Sequence, residues 1–237
     1  MQKPETLADI TIARRFNGPP TTGNGGYSAG LLAQHMSGLV SVELRAPPPL
    51  DVPIAIVKTE AGLEARSGDA LIMRAYESEP LSLPPAPPTL EAAKTGAAHF
   101  PKKDELEFVD CFVCGPARDY PDGLCIFAGP VDGFEGVADV WTPDVGLAAD
   151  DGLVAPEFIW AALDCPGAYA VGMTEGPVVL ARMSVSLIKR PQPGEPLIVT
   201  GWKTFEDGRK HGAGTALYTR DGELLAHSEQ LWIRLKI

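Results

Sequence analysis

The sequence predicts an α+β protein built from two similar units, each an antiparallel β-sheet wrapped around one central α-helix. Three observations carry this reading. First, an order of segments occurs twice: an alanine-rich apolar stretch of helical character, a strand, a proline turn, an apolar strand, then strand–turn–strand. Second, the matching strands share wording, SVEL at 41–44 and SVSL at 184–187, each followed by a proline-rich turn and an apolar run, PIAIV at 53–57 and PLIVT at 196–200. Third, a proline cluster at 80–88, PLSLPPAPP, continues into the polar stretch 89–107 and separates the two copies. Proline without a backbone N–H and with a fixed φ cannot sit in a helix interior, so 80–88 is extended. The boundaries that follow are a first unit at 1–79, a linker at 80–107 and a second unit at 108–237.

Each element has its local reason. YSAGLLAQHM at 27–36 and EFIWAALDCPGAYA at 157–170 read as the two central helices. Helices this apolar must lie against a sheet. LEARSGDALIMRA at 63–75 and LYTRDGELLAH at 217–227 read as strand, tight turn, strand. In the second unit, LCIFA at 124–128 and GVADVWT at 136–142 form a candidate hairpin around Gly133. Strands follow at 178–189, 195–205, 211–220 and 223–235. Pro191–Gly194, Asp207–Gly208 and Asp221–Gly222 supply the turns between them, the Asp–Gly pairs giving the positive φ of tight hairpins.

Composition narrows the function. The 237 residues carry a net charge of −11 and are 45% hydrophobic, which excludes a disordered chain and argues against nucleic-acid or membrane-surface partners that want a basic face. The charge leaves an anionic ligand open, because a helix N-terminus can bind one on an acidic protein. The apolar stretch at 153–173 is broken by Glu157, Asp164 and two prolines, so no membrane span is expected. The start, MQKPETLADI, lacks the pattern of a secretory signal, and four cysteines make no disulfide scaffold, so a cytoplasmic location is expected. P-loop, GxGxxG and GxSxG motifs are missing, which leaves nucleotide hydrolysis, dinucleotide chemistry and α/β-hydrolase chemistry unsupported.

Several segments then carry a specific resemblance. CFVCGP at 111–116, DGLCIFAG at 122–129 and VADVWTP at 137–143 resemble the leading segment of hotdog-fold acyl-CoA thioesterases of the phenylacetyl-CoA thioesterase-like group. LVAPEFIWAALD at 153–164 looks like the helix start that follows it there, and RFNGPPTTGNGGYSAGLLA at 15–33 looks like the helix start of a second hotdog unit. The resemblance implies a double hotdog. In that superfamily the central helix usually begins His-Gly-Gly, with an Asp or Glu nine residues after the His. A glycine N–H polarises the thioester carbonyl, and the acid attacks it or activates water.

Here the set is divided. Asn24-Gly25-Gly26 stands at the first helix start, with Ala33 nine residues on; Ala155-Pro156-Glu157 stands at the second, with Asp164 nine residues on. Nine helical residues span roughly 13 Å, so a carboxylate there cannot reach its own helix N-terminus. It can reach the N-terminus of an antiparallel neighbour. The expectation is one composite site, Gly25 or Gly26 with Asp164, and a dead mirror site of Pro156 with Ala33.

Other residues have competing readings. Asn24 suits the carbonyl site and is equally a good N-cap. Asn17, from the related enzymes, would orient water or the carbonyl. Arg182 and Ser184 begin the strand after the helix, where such enzymes often hold water, or are plain strand residues. Tyr27, Leu31, Phe158 and Trp160 are expected to line an acyl channel between the helices. The four histidines are scattered without a metal-ligand spacing, and His35 reads as packing. Cys111 and Cys114 form a CxxC, but zinc wants four ligands and Cys125 and Cys165 supply no second pair, so the motif is read as a feature of the leading loop. No metal and no redox cofactor is expected. The reading is hydrolysis of an acyl-CoA or related thioester at the composite site, in a protein that could pair as a homodimer. The alternative is a non-catalytic acyl-CoA or acyl-chain binding protein on the same fold.

Overall fold

The computed structural model describes residues 6–236; the first five residues of the MQKPETLADI segment lie outside the described residues. Among the described residues eleven strands form one antiparallel sheet. The first half comprises β1 (Thr6–Thr11), α1 (Gly25–Ala33), β2 (Val40–Leu44), β3 (Pro53–Thr59), β4 (Gly62–Ser67) and β5 (Ala70–Glu77). After α2 (Leu90–Gly96) come β6 (Gly129–Pro130), β7 (Val137–Trp141), α3 (Pro156–Ala170), β8 (Val178–Leu187), β9 (Leu197–Asp207), β10 (Lys210–Thr219) and β11 (Leu224–Arg234).

The order across the sheet is β1-β3-β4-β5-β2-β8-β11-β10-β9-β7-β6. The two sides of the β2–β8 seam repeat: β2 matches β8, β5 matches β11, β4 matches β10, β3 matches β9 and β1 matches β7. The SVEL and SVSL segments are the seam itself, with Ser41 opposite Ser184 and Val42 opposite Met183. The Asp–Gly turns lie where expected, Gly208 at φ 57° and Gly222 at φ 87°.

Period-two alternation sorts the side chains. Val42, Met183, Val185, Val199 and Leu217 join the main core with both long helices. Ile198, Ala216 and Tyr218 face the other way and meet Ala93 of α2. The segment at 80–107 is therefore more than a linker. Its proline stretch lacks regular structure, but Pro85 accepts a hydrogen bond from the Tyr218 hydroxyl and Ser82 N–H donates to Glu229. The helix that follows covers the back of the second half-sheet, its first turn capped by Thr89.

Two further differences have local causes. LCIFA at 124–128 is not a strand of the sheet. Leu124 and Ile126 donate instead to the carbonyls of Phe112 and Val113, Cys125 takes φ 52°, and the Asp139 carboxylate accepts the Phe127 N–H. The segment thus pairs with the CFVC loop, and the hairpin shrinks to β6 and β7. Second, β1 pairs with β3 although its sequence, TLADIT, offers only a weak alternation.

The two central helices pack antiparallel. A Cβ on Gly26 would lie 2.5 Å from the Trp160 carbonyl oxygen, and one on Gly30 would lie 2.7 Å from Glu157 Cα. Two glycines one turn apart thus let α1 approach the backbone of α3. Pro166 does not end α3, which continues to Ala170. The strand facing it has no side chain there: a Cβ on Gly201 would lie 2.4 Å from the Pro166 carbonyl oxygen. Among the described residues no helix is long and apolar enough to cross a membrane.

Candidate functional site

The start of α1 and the middle of α3 meet at a buried carboxylate. Asp164 is 3% exposed. Its Oδ2 accepts the Gly26 N–H at 2.9 Å and the Asn24 side-chain amide at 2.8 Å, while Oδ1 has no partner among the described residues. Asn24 performs two tasks at once: its Oδ1 caps α1 by accepting the Tyr27 N–H at 2.9 Å, and its Nδ2 turns to Asp164. The capping reading and the site reading of Asn24 are therefore not exclusive. With the Gly26 and Tyr27 amides engaged, Gly25 N–H has no acceptor among the described residues, as helix starts generally leave some amides.

Burial pushes the Asp164 carboxyl up to about 7, against the downward pull of the Gly26 and Asn24 donors; negative charge on Cys111 adds to the rise. A carboxylate without a cation beside it, in an apolar helix, is costly to keep ionised.

A cavity of about 590 Å³ opens beside this group. Its wall includes Asn24, Gly25, Asp164, Cys165, Ala168, Leu180 and Trp232, with Gly18–Pro19 and Leu44–Pro48 around it. Volumes of this order suit a small organic ligand. Arg45 is the basic residue among its lining, and it pairs with Glu43 at 3.7 Å.

The structure separates other sequence candidates from this cavity. Tyr27, Leu31, Phe158 and Trp160 do not line it. The glycine contacts of α1 leave no channel between the helices. Tyr27 instead stacks on Phe16 at 4.2 Å between ring centroids and meets Phe158 at 5.7 Å, Leu31 packs on the core, and Trp160 is buried beneath Gly30. Asn17 is also off the cavity wall: its amide donates to the Gly18 and Asp110 carbonyls and its Oδ1 accepts from Arg118, which ties the loop together. Arg182 and Ser184 stand on the back of β8, since their neighbours Met183 and Val185 point into the core. Ser184 hydrogen-bonds Ser41 across the seam, and both Arg182 and Ser184 border a small cavity of about 230 Å³ on that side.

One grouping escaped sequence reasoning. Cys165, next to Asp164 on α3, meets the CxxC pair, so that the sulfurs of Cys111, Cys114 and Cys165 all lie within 4.8 Å of one another. All three cysteines are buried and free. The thiol groups of Cys114 and Cys165 hold the Cys111 thiol well below the ordinary thiol range, and they are themselves pushed up. Cysteine spacing alone could not find the group, because its third member is contributed by a helix 51 positions later in the chain.

No protein-family model and no curated protein matches the chain. Solved structures do. The tesB protein of Mycobacterium avium subsp. paratuberculosis matches with a TM-score of 0.61 at 15% identity, over 99% of this chain and 96% of that one. Acyl-CoA thioesterase II TesB2 from Mycobacterium marinum matches with a TM-score of 0.59 at 13% identity, again over 99% and 96% of the two chains. Both likenesses span the two halves of the sheet and the segment between them, and at these identities they concern the fold. The chain has the α+β double-hotdog fold of the TesB-type thioesterase structures.

Proposed function

We propose that this protein hydrolyses an acyl-CoA or related thioester at one site, between the start of α1 and the middle of α3. The observation that carries the reading is Asp164: a buried carboxylate held by Gly26 N–H and Asn24, on a cavity wall, with Oδ1 free. The double-hotdog neighbours, an acyl-CoA thioesterase from Mycobacterium marinum among them, support the substrate class.

The chemistry follows from the positions. The thioester carbonyl takes the open Gly25 N–H, with Asn24 beside it. Asp164 Oδ1 accepts a proton from water as that water attacks the carbonyl carbon. The oxyanion gathers its charge at the helix amide, a donor typically worth about 3–4 kcal/mol in the transition state. The C–S bond then breaks, the thiolate takes the proton from Asp164, and a carboxylic acid and a thiol leave. Gly26 and Asn24 act as positioning residues, since they fix Oδ2 and so aim Oδ1. The two hotdog units, 1–79 and 108–237, supply one partner each.

Steady-state hydrolysis of an acyl-CoA panel tests this, with Asp164→Asn and Asp164→Ala beside the wild type. Wild-type turnover that falls by about 10³ in both variants is expected, within the usual range for loss of a general base. Turnover untouched by Asp164→Ala would overturn the mechanism. Saturable acyl-CoA binding with no turnover of any thioester would overturn the enzyme reading in favour of a binding protein.

A further inference from the structure

We propose that Cys111, Cys114 and Cys165 form a binding site for one thiophilic d¹⁰ cation, zinc, held by three thiolates. Two elements far apart in the chain converge to make the site: the CFVCGP loop gives two sulfurs and α3 gives the third, all within 4.8 Å of one another.

The spacing fits the ion. Two sulfurs each about 2.3 Å from a tetrahedral zinc lie about 3.8 Å apart. Cys111 Sγ and Cys165 Sγ are 3.7 Å apart. The CxxC turn is shaped to point both of its sulfurs one way. Gly115 N–H closes it on the Cys111 carbonyl at 2.8 Å, and a Cβ at Gly115 would lie 2.5 Å from the Cys111 backbone nitrogen, so no other residue closes the turn as tightly.

The surroundings suit thiolates. The Asn24 amide lies 3.9 Å from Cys111 Sγ, and the Tyr169 hydroxyl donates to Cys114 Sγ at 3.6 Å. Three thiolates and a dication leave one negative charge, which such donors spread, as outer partners do at metal sites. Binding releases the three thiol protons to solvent. All three cysteines line the cavity, so the position the protein leaves open is reached from it. Cys125 hydrogen-bonds the Arg118 carbonyl elsewhere and is no part of the group. The site stands whether or not Asp164 cleaves a thioester.

The test uses the full chain, reduced, stripped with a chelator and titrated with Co²⁺, then Zn²⁺. One Co²⁺ per chain is expected, with a sulfur-to-cobalt charge-transfer band of an intensity that corresponds to three thiolates, and equimolar Zn²⁺ abolishes the band. Cys165→Ser is expected to weaken affinity at least about a hundredfold, beyond what loss of a merely supporting partner costs, and Cys125→Ser to leave it unchanged. A folded wild-type protein with no band, or with a band of one thiolate, overturns the site without reference to any variant. Full affinity in folded Cys165→Ser, or equal loss in Cys125→Ser, overturns it as well.

Discussion

The two ends of the α1–α3 pair are related by the repeat, yet they hold different chemistry. At one end the glycine-rich start of α1 faces Asp164, and Gly26 N–H donates to its carboxylate. At the other, α3 begins at Pro156, which has no N–H to give, and the residue matching Asp164 is Ala33. What stands there is an exposed hydrogen bond from the Gln34 amide to Glu157 at 2.9 Å. The cavity draws its lining from the first end and takes neither Ala33 nor Glu157. Two units in one chain are free to divide a pair of roles that identical subunits would each have to carry.

The largest effect is expected at Asp164. Asp164→Asn retains an acceptor for Gly26 N–H but removes the base, so kcat should fall by about 10³. Stability should not fall with it. A buried carboxylate oxygen without a partner costs free energy in the native state, so thermal unfolding of Asp164→Asn should come at or above the wild-type temperature. A variant that loses activity only because it unfolds would show the opposite in a melting curve.

Next is the attempt to restore the mirror site. Ala33→Asp places an acid at the position equivalent to Asp164. Ala33 is buried, at 7% exposure, and the opposite helix start has proline in place of the glycine pair. The new carboxylate should destabilise by about 3 kcal/mol in denaturant unfolding, the order expected for an uncompensated buried charge. In an Asp164→Asn background it should return no turnover. Any rescued hydrolysis would mean that the second end needs only an acid.

The glycines separate packing from chemistry. Gly26→Ala and Gly30→Ala both drive a methyl group into the α3 backbone, at 2.5 Å from the Trp160 oxygen and 2.7 Å from Glu157 Cα. Each should cost about 1–3 kcal/mol of stability. Of these two glycines Gly26 is the one whose N–H holds Asp164, so Gly26→Ala should lower kcat well beyond Gly30→Ala when both are assayed below their melting temperatures. Equal losses would mean that helix spacing alone controls the rate.

The sequence exposes some of this more readily than the rest, for physical reasons. SVEL and SVSL are legible because β2 and β8 bury alternate residues, and a buried face writes its period into the chain. The resemblance to hotdog thioesterases singles out the α1 start and Asp164, and helix length then implies that they meet across an antiparallel pair, since an acid nine residues along cannot reach its own helix start. Arg182 and Ser184 were harder. Their strand is evident, but parity decides the face, and one position in register moves every side chain to the other side. The acyl channel expected between the helices fails on Gly26 and Gly30, which read equally as turn or close-approach residues until the partner backbone is seen. Cys165 and the helix at Leu90–Gly96 were illegible for a third reason: their meaning lies in contacts with segments distant in the chain, which no local pattern records.

The smallest predicted effect bears most directly on the asymmetry. Gln34→Ala removes the exposed bond to Glu157 at the mirror end. Surface substitutions of this kind usually change stability by less than about 0.5 kcal/mol. The melting temperature should therefore move by no more than about 2 °C for a chain of this size. Turnover should stay within about twofold of wild type, because no catalytic role is assigned to this end. Glu157→Gln should behave alike, since it keeps the side-chain length and an oxygen for Gln34. If either variant lowers turnover as far as Asp164→Asn does, the two ends work together, and the division of roles between the units is wrong at its root.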